Sequence, residues 1–177
     1  MTYGNFPFGT RLQDEIISLN DPDIIEIHGI YETSDVSLTS ANFGAPEMAL
    51  TQLNGPSATT GDMIVGELMI GQTSGAVAVF AEVKDTSTVR YLPKNNFKFV
   101  EGESVEFQES SITGGVSSLD TTSFNISSNY TFSSGQKNTV YDYGFLKRTA
   151  NSSTPNSKIK VYYKSASFDS SDDGDIV

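Results

Sequence analysis

The 177-residue chain has no cysteine, no tryptophan and a single histidine. Without cysteine there is no disulfide staple, no thiolate nucleophile and no cysteine-based zinc site, although reducing cytosol and disulfide-free extracellular surroundings both remain open. The lone His28 removes multi-histidine metal sites. Any Ser-His-Asp triad would rest on it, and no Gly-x-Ser-x-Gly elbow supplies a nucleophile. Bases are scarce and unevenly placed. Residues 1–83 hold only Arg11 against eleven acids, residues 84–177 hold ten bases against eleven acids, and the net charge is −11. Affinity for nucleic acid comes largely from Lys and Arg releasing counterions from phosphate, so no nucleic-acid partner is expected. The negative charge reads first as solubility by self-repulsion and second as an acidic face for a basic partner. Long hydrophobic runs are missing too. Ala76 to Ala81 falls far short of the ~20 residues that span a bilayer as a helix. Met1-Thr2-Tyr3-Gly4-Asn5 has neither the basic nor the apolar region of a signal peptide. No membrane insertion is expected.

What is present points to strands. Ile24-Ile25-Glu26-Ile27-His28-Gly29-Ile30-Tyr31 alternates and is rich in β-branched residues, as a half-buried strand should be, and Val77 to Val83 and Ser157 to Tyr163 read the same way. Asn20-Asp21-Pro22-Asp23, Asn54-Gly55-Pro56, Asn95-Asn96 and Ser133-Ser134-Gly135 are turn clusters between such runs. Arg11 to Leu19 fits either two helical turns or a short strand entering a turn. Apolar residues make up 37% of the chain, but 11 Phe and 8 Tyr are enough for small aromatic cores. The expected fold is all-β, with room for one short helix, in small β-sandwich or barrel-like modules joined by polar loops. Composition shifts towards Ser, Thr, Asn and Gly after Ser104, and Ser110 to Ser128 and Thr149 to Ser157 read as linkers or exposed loops. A boundary near Ser117 to Thr122 would divide an acidic domain, 1–117, from a second β-module, 118–177. Gly66-Glu67-Leu68 followed by Thr73-Ser74-Gly75-Ala76 is echoed by Gly102-Glu103-Ser104-Val105 followed by Ile112-Thr113-Gly114-Gly115-Val116, starting 36 positions later. This reads as two strand-turn-strand units rather than a repeat architecture.

Catalytic and ligand motifs fare poorly. Gly66 to Thr73 has the spacing of a phosphate-binding loop, but Gln72 stands where lysine is needed and Leu68-Met69-Ile70 suits a strand. Asp169, Asp172, Asp173 and Asp175 gather hard oxygen ligands around Gly174; they are weak calcium candidates, because the spacing is not that of an EF-hand and no bidentate Glu follows. Glu101, Glu103, Glu106 and Glu109 could suggest a glycosidase pair, yet at such short spacing they read as solvent-facing charges guarding strand edges. Three Asn-x-Ser/Thr sequons, at Asn125, Asn129 and Asn151, carry little weight without a secretory signal. The expectation is no enzyme and no cofactor.

Asn125-Ile126-Ser127-Ser128-Asn129-Tyr130-Thr131-Phe132, then Gly135-Gln136-Lys137, Tyr141-Asp142-Tyr143-Gly144, Leu146-Lys147-Arg148, Lys158-Ile159-Lys160-Val161-Tyr162-Tyr163 and Gly174-Asp175 form a recurring order of turns and strands. With Val65-Gly66-Glu67 and Gly71-Gln72-Thr73-Ser74-Gly75-Ala76, this resembles virion structural proteins of contractile-tailed bacteriophages, tail or baseplate type, especially those of cyanobacterial phages. The matches cover residues 64–82 and 125–175. The resemblance implies a non-enzymatic component of tail, baseplate or fibre, assembled in the host cytoplasm into the virion, with other tail or baseplate proteins as partners and as a homo-oligomer. Family members continue past the Gly-Asp turn, so it also implies an N-terminal fragment of a longer chain. Tyr130, Tyr141, Tyr143, Phe145, Tyr162 and Tyr163 are the interface candidates, with filling their own core as the plainer role. The alternative function is a receptor- or carbohydrate-binding module that meets a host surface glycan.

Overall fold

A computed structural model describes residues 11–39, 41–54, 59–136, 142–155 and 157–166. It is all-β, and the two helical turns among the described residues are single turns of 3-10 type, at Thr60–Asp62 and Ser127–Asn129. The chain forms two compact units: Met1–Val36 together with Ile126–Val177, and Ser37–Asn125. The division is therefore discontinuous and does not fall at 117/118.

The first unit contains strands β1 (Ile16–Ser18), β2 (Ile24–Thr33), β10 (Tyr130–Ser133), β11 (Phe145–Arg148) and β12 (Lys158–Ser165). Of the two readings of Arg11 to Leu19, the short strand entering a turn is the one formed. One sheet has the order β1-β11-β10, and in the other β12 pairs with β2; the short strand β9, Phe124–Asn125, ends the second unit. Ile17, Ile30, Ile126, Tyr130 and Leu146 form the core between the strands, flanked by Ile159 and Val161. Alternation in β2 and β12 places these apolar side chains on one face.

The second unit is a closed six-stranded barrel of β3 (Glu47–Asn54), β4 (Leu68–Gly71), β5 (Val77–Val83), β6 (Thr88–Pro93), β7 (Ser104–Phe107) and β8 (Thr113–Asp120), in the order β3-β6-β5-β4-β7-β8. Closure removes the exposed edges that an open sheet would present. The small polar residues at 113–120, which read as a linker, are barrel strand β8. Gly114 and Gly115 leave room for side chains of the paired strand β3: a Cβ on Gly114 would sit 2.8 Å from Leu53 Cδ2.

The barrel has an internal two-fold relation that the sequence shows only faintly. Residue n of β4-β5 corresponds to n+36 of β7-β8: Leu68↔Val79 and Met69↔Ala78 in one pair become Ser104↔Gly115 and Val105↔Gly114 in the other. The β4–β7 seam maps onto itself, with Met69↔Phe107 balancing Gly71↔Val105 around Ile70↔Glu106. Strand β3 completes the second half as β6 completes the first, since Tyr91 faces Phe80 where Leu50 faces Val116. The ladder slips between Phe80 and Glu82 in one half and between Val116 and Ser118 in the other, so even the bulge is repeated. Core residues follow the same relation: Met63 and Phe99, Met69 and Val105, Ala76 and Ile112, Phe80 and Val116, and Met48 and Val89 are all buried in one cluster. Each large apolar side chain so buried contributes about 1.5–3 kcal/mol.

The correspondence also corrects the sequence reading of the repeat. Thr73–Ala76 matches Glu109–Ile112, not Ile112–Val116, because Gly71 N–H bonds Ala76 O just as Phe107 N–H bonds Ile112 O. Gly75 and Ser111 then share one left-handed turn position, with φ of 68° and 58°. Glycine adopts that conformation without the Cβ penalty that serine meets. Ser111→Gly is expected to raise barrel stability by roughly 0.5 kcal/mol, the relief of strain being partly offset by greater unfolded-state entropy; urea denaturation showing no gain would refute it.

Candidate functional site

The repeated turns are held by two buried carboxylates. Glu67 and Glu103 each follow a glycine, Gly66 or Gly102, whose φ of 98° or 85° turns the chain into the next strand. Glu67 is 1% exposed and Glu103 5%. Glu67 Oε1 accepts the Ile64 N–H at 2.7 Å and the Ser110 hydroxyl at 2.9 Å, while Oε2 accepts the N–H groups of Glu109 and Ser110, both at 2.9 Å. Glu103 repeats this from the other half. Its Oε1 accepts the Val100 N–H at 2.7 Å and the Ser74 hydroxyl at 2.9 Å, and its Oε2 accepts Thr73 N–H at 3.2 Å and Ser74 N–H at 3.0 Å. Each carboxylate thus caps its own turn and clasps the turn of the opposite half. Burial pushes the Glu103 carboxyl up, but the bonds from Ser74, Val100 and Thr73 outweigh it and hold the group below its ordinary value. Read as a solvent-facing edge charge, Glu103 is instead an interior latch, because four donors compensate its desolvation.

The second seam between the halves, β3–β6, is closed by Arg90, which is 1% exposed. Its Nε and Nη2 donate to Glu47 Oε1 at 3.1 and 2.8 Å, Nη1 donates to Glu82 Oε1 at 2.7 Å, and Nη2 also donates to Ala41 O at 2.8 Å. Lys84 Nζ reaches the other Glu47 oxygen at 2.5 Å. Arg90 belongs to no catalytic or binding motif of the sequence. A lone cation between Val89 and Tyr91, both apolar and buried, was the available signal.

Gly66 to Thr73 is a strand between turns, as its apolar centre indicated. His28 lies within β2, 3.8 Å from Glu26. The weak calcium candidates Asp169, Asp172, Asp173 and Asp175 lie outside the described residues, as does Tyr141. Among the described residues, no group of three or more His, Cys, Asp or Glu side chains is placed to hold a metal ion.

The other aromatic candidates separate by environment. Tyr130 is buried in the core of the first unit; burial raises its phenol pKa, Arg148 opposes that and Glu32 adds to it. Tyr162 is half-buried, edge-on to Tyr31 at 5.7 Å between ring centroids, with Lys160 Nζ 5.2 Å from its own ring. Phe145 is half-buried in β11 opposite Ser18 and Ser133. Tyr143 and Tyr163 reach the surface, at 50% and 38% exposure. Burial, followed by the charge and hydrogen bond of Asp21, raises the Tyr163 phenol pKa.

The motif around Tyr143 is a clasp on the Asn20–Asp23 turn. Gly144 N–H donates to Asp21 O at 2.8 Å, Leu19 N–H donates to Gly144 O at 2.9 Å, and Gln136 Nε2 donates to Pro22 O at 3.1 Å. Gly135, at φ 76°, passes so close to the chain at 142–143 that a Cβ would meet Tyr143 O at 2.2 Å. These glycines and the glutamine thus serve backbone approach within the first unit. Comparison of the chain with family models, with curated proteins and with solved structures found no match.

Proposed function

We propose that this chain is a structural assembly module of a contractile phage tail, acting through protein–protein contact and carried in the virion after assembly in the host cytoplasm. One observation carries the reading: the residues that bear the resemblance, among them Gly66, Glu67, Ser74, Gly135, Gln136 and Gly144, are spent on turns, latches and close backbone approach. A pattern made of such residues fixes a framework and leaves the outward side chains to set partners. Large apolar side chains do face outward, with Val36 74%, Phe97 65% and Phe124 66% exposed, and aromatic side chains of this kind are enriched where protein surfaces meet.

The test is co-purification of the chain with the separately expressed tail and baseplate proteins of a contractile cyanobacterial phage, alongside light scattering of the chain alone. A stable complex or a defined oligomer is the expected result. A strict monomer that binds none of those proteins, or that turns over a host envelope polysaccharide, would overturn the proposal. Glycan-array binding lost on replacing Tyr143 and Tyr163 would favour the receptor-binding alternative instead.

A further inference from the structure

The two-fold relation within the barrel makes residues 61–66 and 97–102 equivalent loops. One leads into β4 and the other into β7, and since these strands are antiparallel, the loops stand at opposite ends of the β4–β7 seam. Both are firmly held. Glu67 and Glu103 bond the amides of Ile64 and Val100, Met63 and Phe99 plug the same core, and Phe99 packs edge-on against Tyr91 at 5.1 Å. Asn95 further ties the second loop to Val77 N–H and Gly75 O.

The two loops carry opposite charges at one equivalent position, Asp62 in the first and Lys98 in the second, and the second also exposes Glu101. The first presents Asp62 with Ile64 and Val65, 47% and 65% exposed; the second presents Lys98 with Phe97 and Val100, 65% and 47% exposed. Asp62 and Lys98 occupy the same position of the repeat, and Glu101 takes the place of Val65. Lys84, Arg90, Lys94 and Lys98 are the four bases of residues 37–125, and Lys84 and Arg90 are engaged by Glu47 and Glu82.

We infer that the two barrel ends are the two sides of one head-to-tail contact between copies of this chain, the Asp62 loop of one copy seating on the Phe97–Lys98 loop of the next. The occupant is a second copy because charge complementarity is built into the chain at equivalent positions, with apolar side chains beside each charge. Two Asp62 loops would set like charges together, whereas two Phe97–Lys98 loops can pair Lys98 with Glu101 of the other copy; Asp62→Lys separates the cases, since an association that it leaves unchanged does not use the Asp62 loop and overturns the head-to-tail contact. A heterologous contact of this kind leaves an unused end on every added copy and so closes into a ring or extends as a filament. Six side chains make a contact below the standard interface size, so each junction is weak. The inference rests on the assembly reading above and specifies its self-contact.

Sedimentation equilibrium of the whole chain up to roughly 1 mM, in low salt and near physiological salt, tests it. Reversible association that weakens with salt is expected. Asp62→Lys and Lys98→Asp should each weaken it about tenfold or more, the cost of placing like charges together. Mixing the two variants, or combining both changes in one chain, should return it to within about threefold of the parent, because opposite charges face each other again. Phe97→Ser should weaken association with far-ultraviolet circular dichroism unchanged. A parent chain that stays monomeric throughout, or a mixture no tighter than its components, overturns the head-to-tail contact. If that chain still binds a separate tail protein, the assembly reading survives the loss of this inference; if it binds none, both fall.

Discussion

Replacing Glu103 with Ala lowers barrel stability by an expected 3–5 kcal/mol, roughly, because it strands three amides and a hydroxyl that the carboxylate now satisfies in a buried place. Glu67→Ala removes the same number of bonds from the other end of the β4–β7 seam and should cost a similar amount. The measurement is urea denaturation followed by circular dichroism or tyrosine fluorescence, tryptophan being absent. A loss below about 1 kcal/mol for both variants would show that the latches are incidental to closure.

Glu103 also gives the barrel a pH dependence of definite sign. Its folded pKa lies below the ordinary value of 4.5, so the native state holds the ionised form more strongly than the unfolded state does. Its contribution is complete above that ordinary value and is lost as pH falls through the lower folded value. Stability of the parent protein should therefore drop as the medium is acidified below about pH 4.5. Glu103→Gln should be less stable at neutral pH and should show a shallower drop. Asp85 and Asp120, whose pKa values are also lowered, remain in both proteins, so the difference between the two curves isolates Glu103. Parallel curves would refute the assignment.

Local signals in the sequence located strands well and their partners poorly. Alternation at Ile24 to Tyr31, Val77 to Val83 and Ser157 to Tyr163 corresponds to β2, β5 and β12. Nothing local specifies that β2 pairs with β12, more than a hundred residues away, with Ile30 opposite Val161; that pairing makes the first unit discontinuous. Composition misled at 113–120 for a steric reason. Glycine there leaves room for side chains of the paired strand, Leu53 against Gly114 and Thr51 against Gly115, which looks the same as a linker when only residue types are counted. The repeat was faint because its two halves keep Gly66/Gly102, Glu67/Glu103, Gln72/Gln108 and Ser74/Ser110 over residues 64–80 and 100–116 and exchange volume elsewhere. Gly71 faces Phe107 across the relation: a Cβ at 71 would meet Ser74 Oγ at 2.5 Å, while Phe107 fills the core against Phe80 at 5.8 Å between ring centroids. Packing constrains the sum of such volumes more than either identity. Hence the functional glutamates were visible as letters, but their burial followed only from the other half's turns.

Arg90→Met tests the second seam and exposes an asymmetry between the halves. The β4–β7 seam is latched twice by equivalent glutamates, but the equivalent of Arg90 across the barrel is Ala49, so the β3–β6 seam is closed by one cation only. Methionine keeps much of the length and apolar stem, so the main loss is the guanidinium and its bonds to Glu47, Glu82 and Ala41 O. Breaking a buried pair by removing one partner costs about 3–5 kcal/mol when the other charge is left isolated. Here Glu47 keeps Lys84, and the Glu82 side chain is 32% exposed, so about 2–4 kcal/mol is expected. Combining Arg90→Met with Glu47→Leu should recover part of that loss, because the stranded carboxylate is then gone as well. A double variant no better than Arg90→Met alone would mean that the pair contributes through shape rather than charge. If the coupling appears, the barrel closes its two seams by different chemistry: on the β4–β7 side the Glu103 carboxylate is clasped by neutral donors, while on the β3–β6 side a buried cation is held between carboxylates.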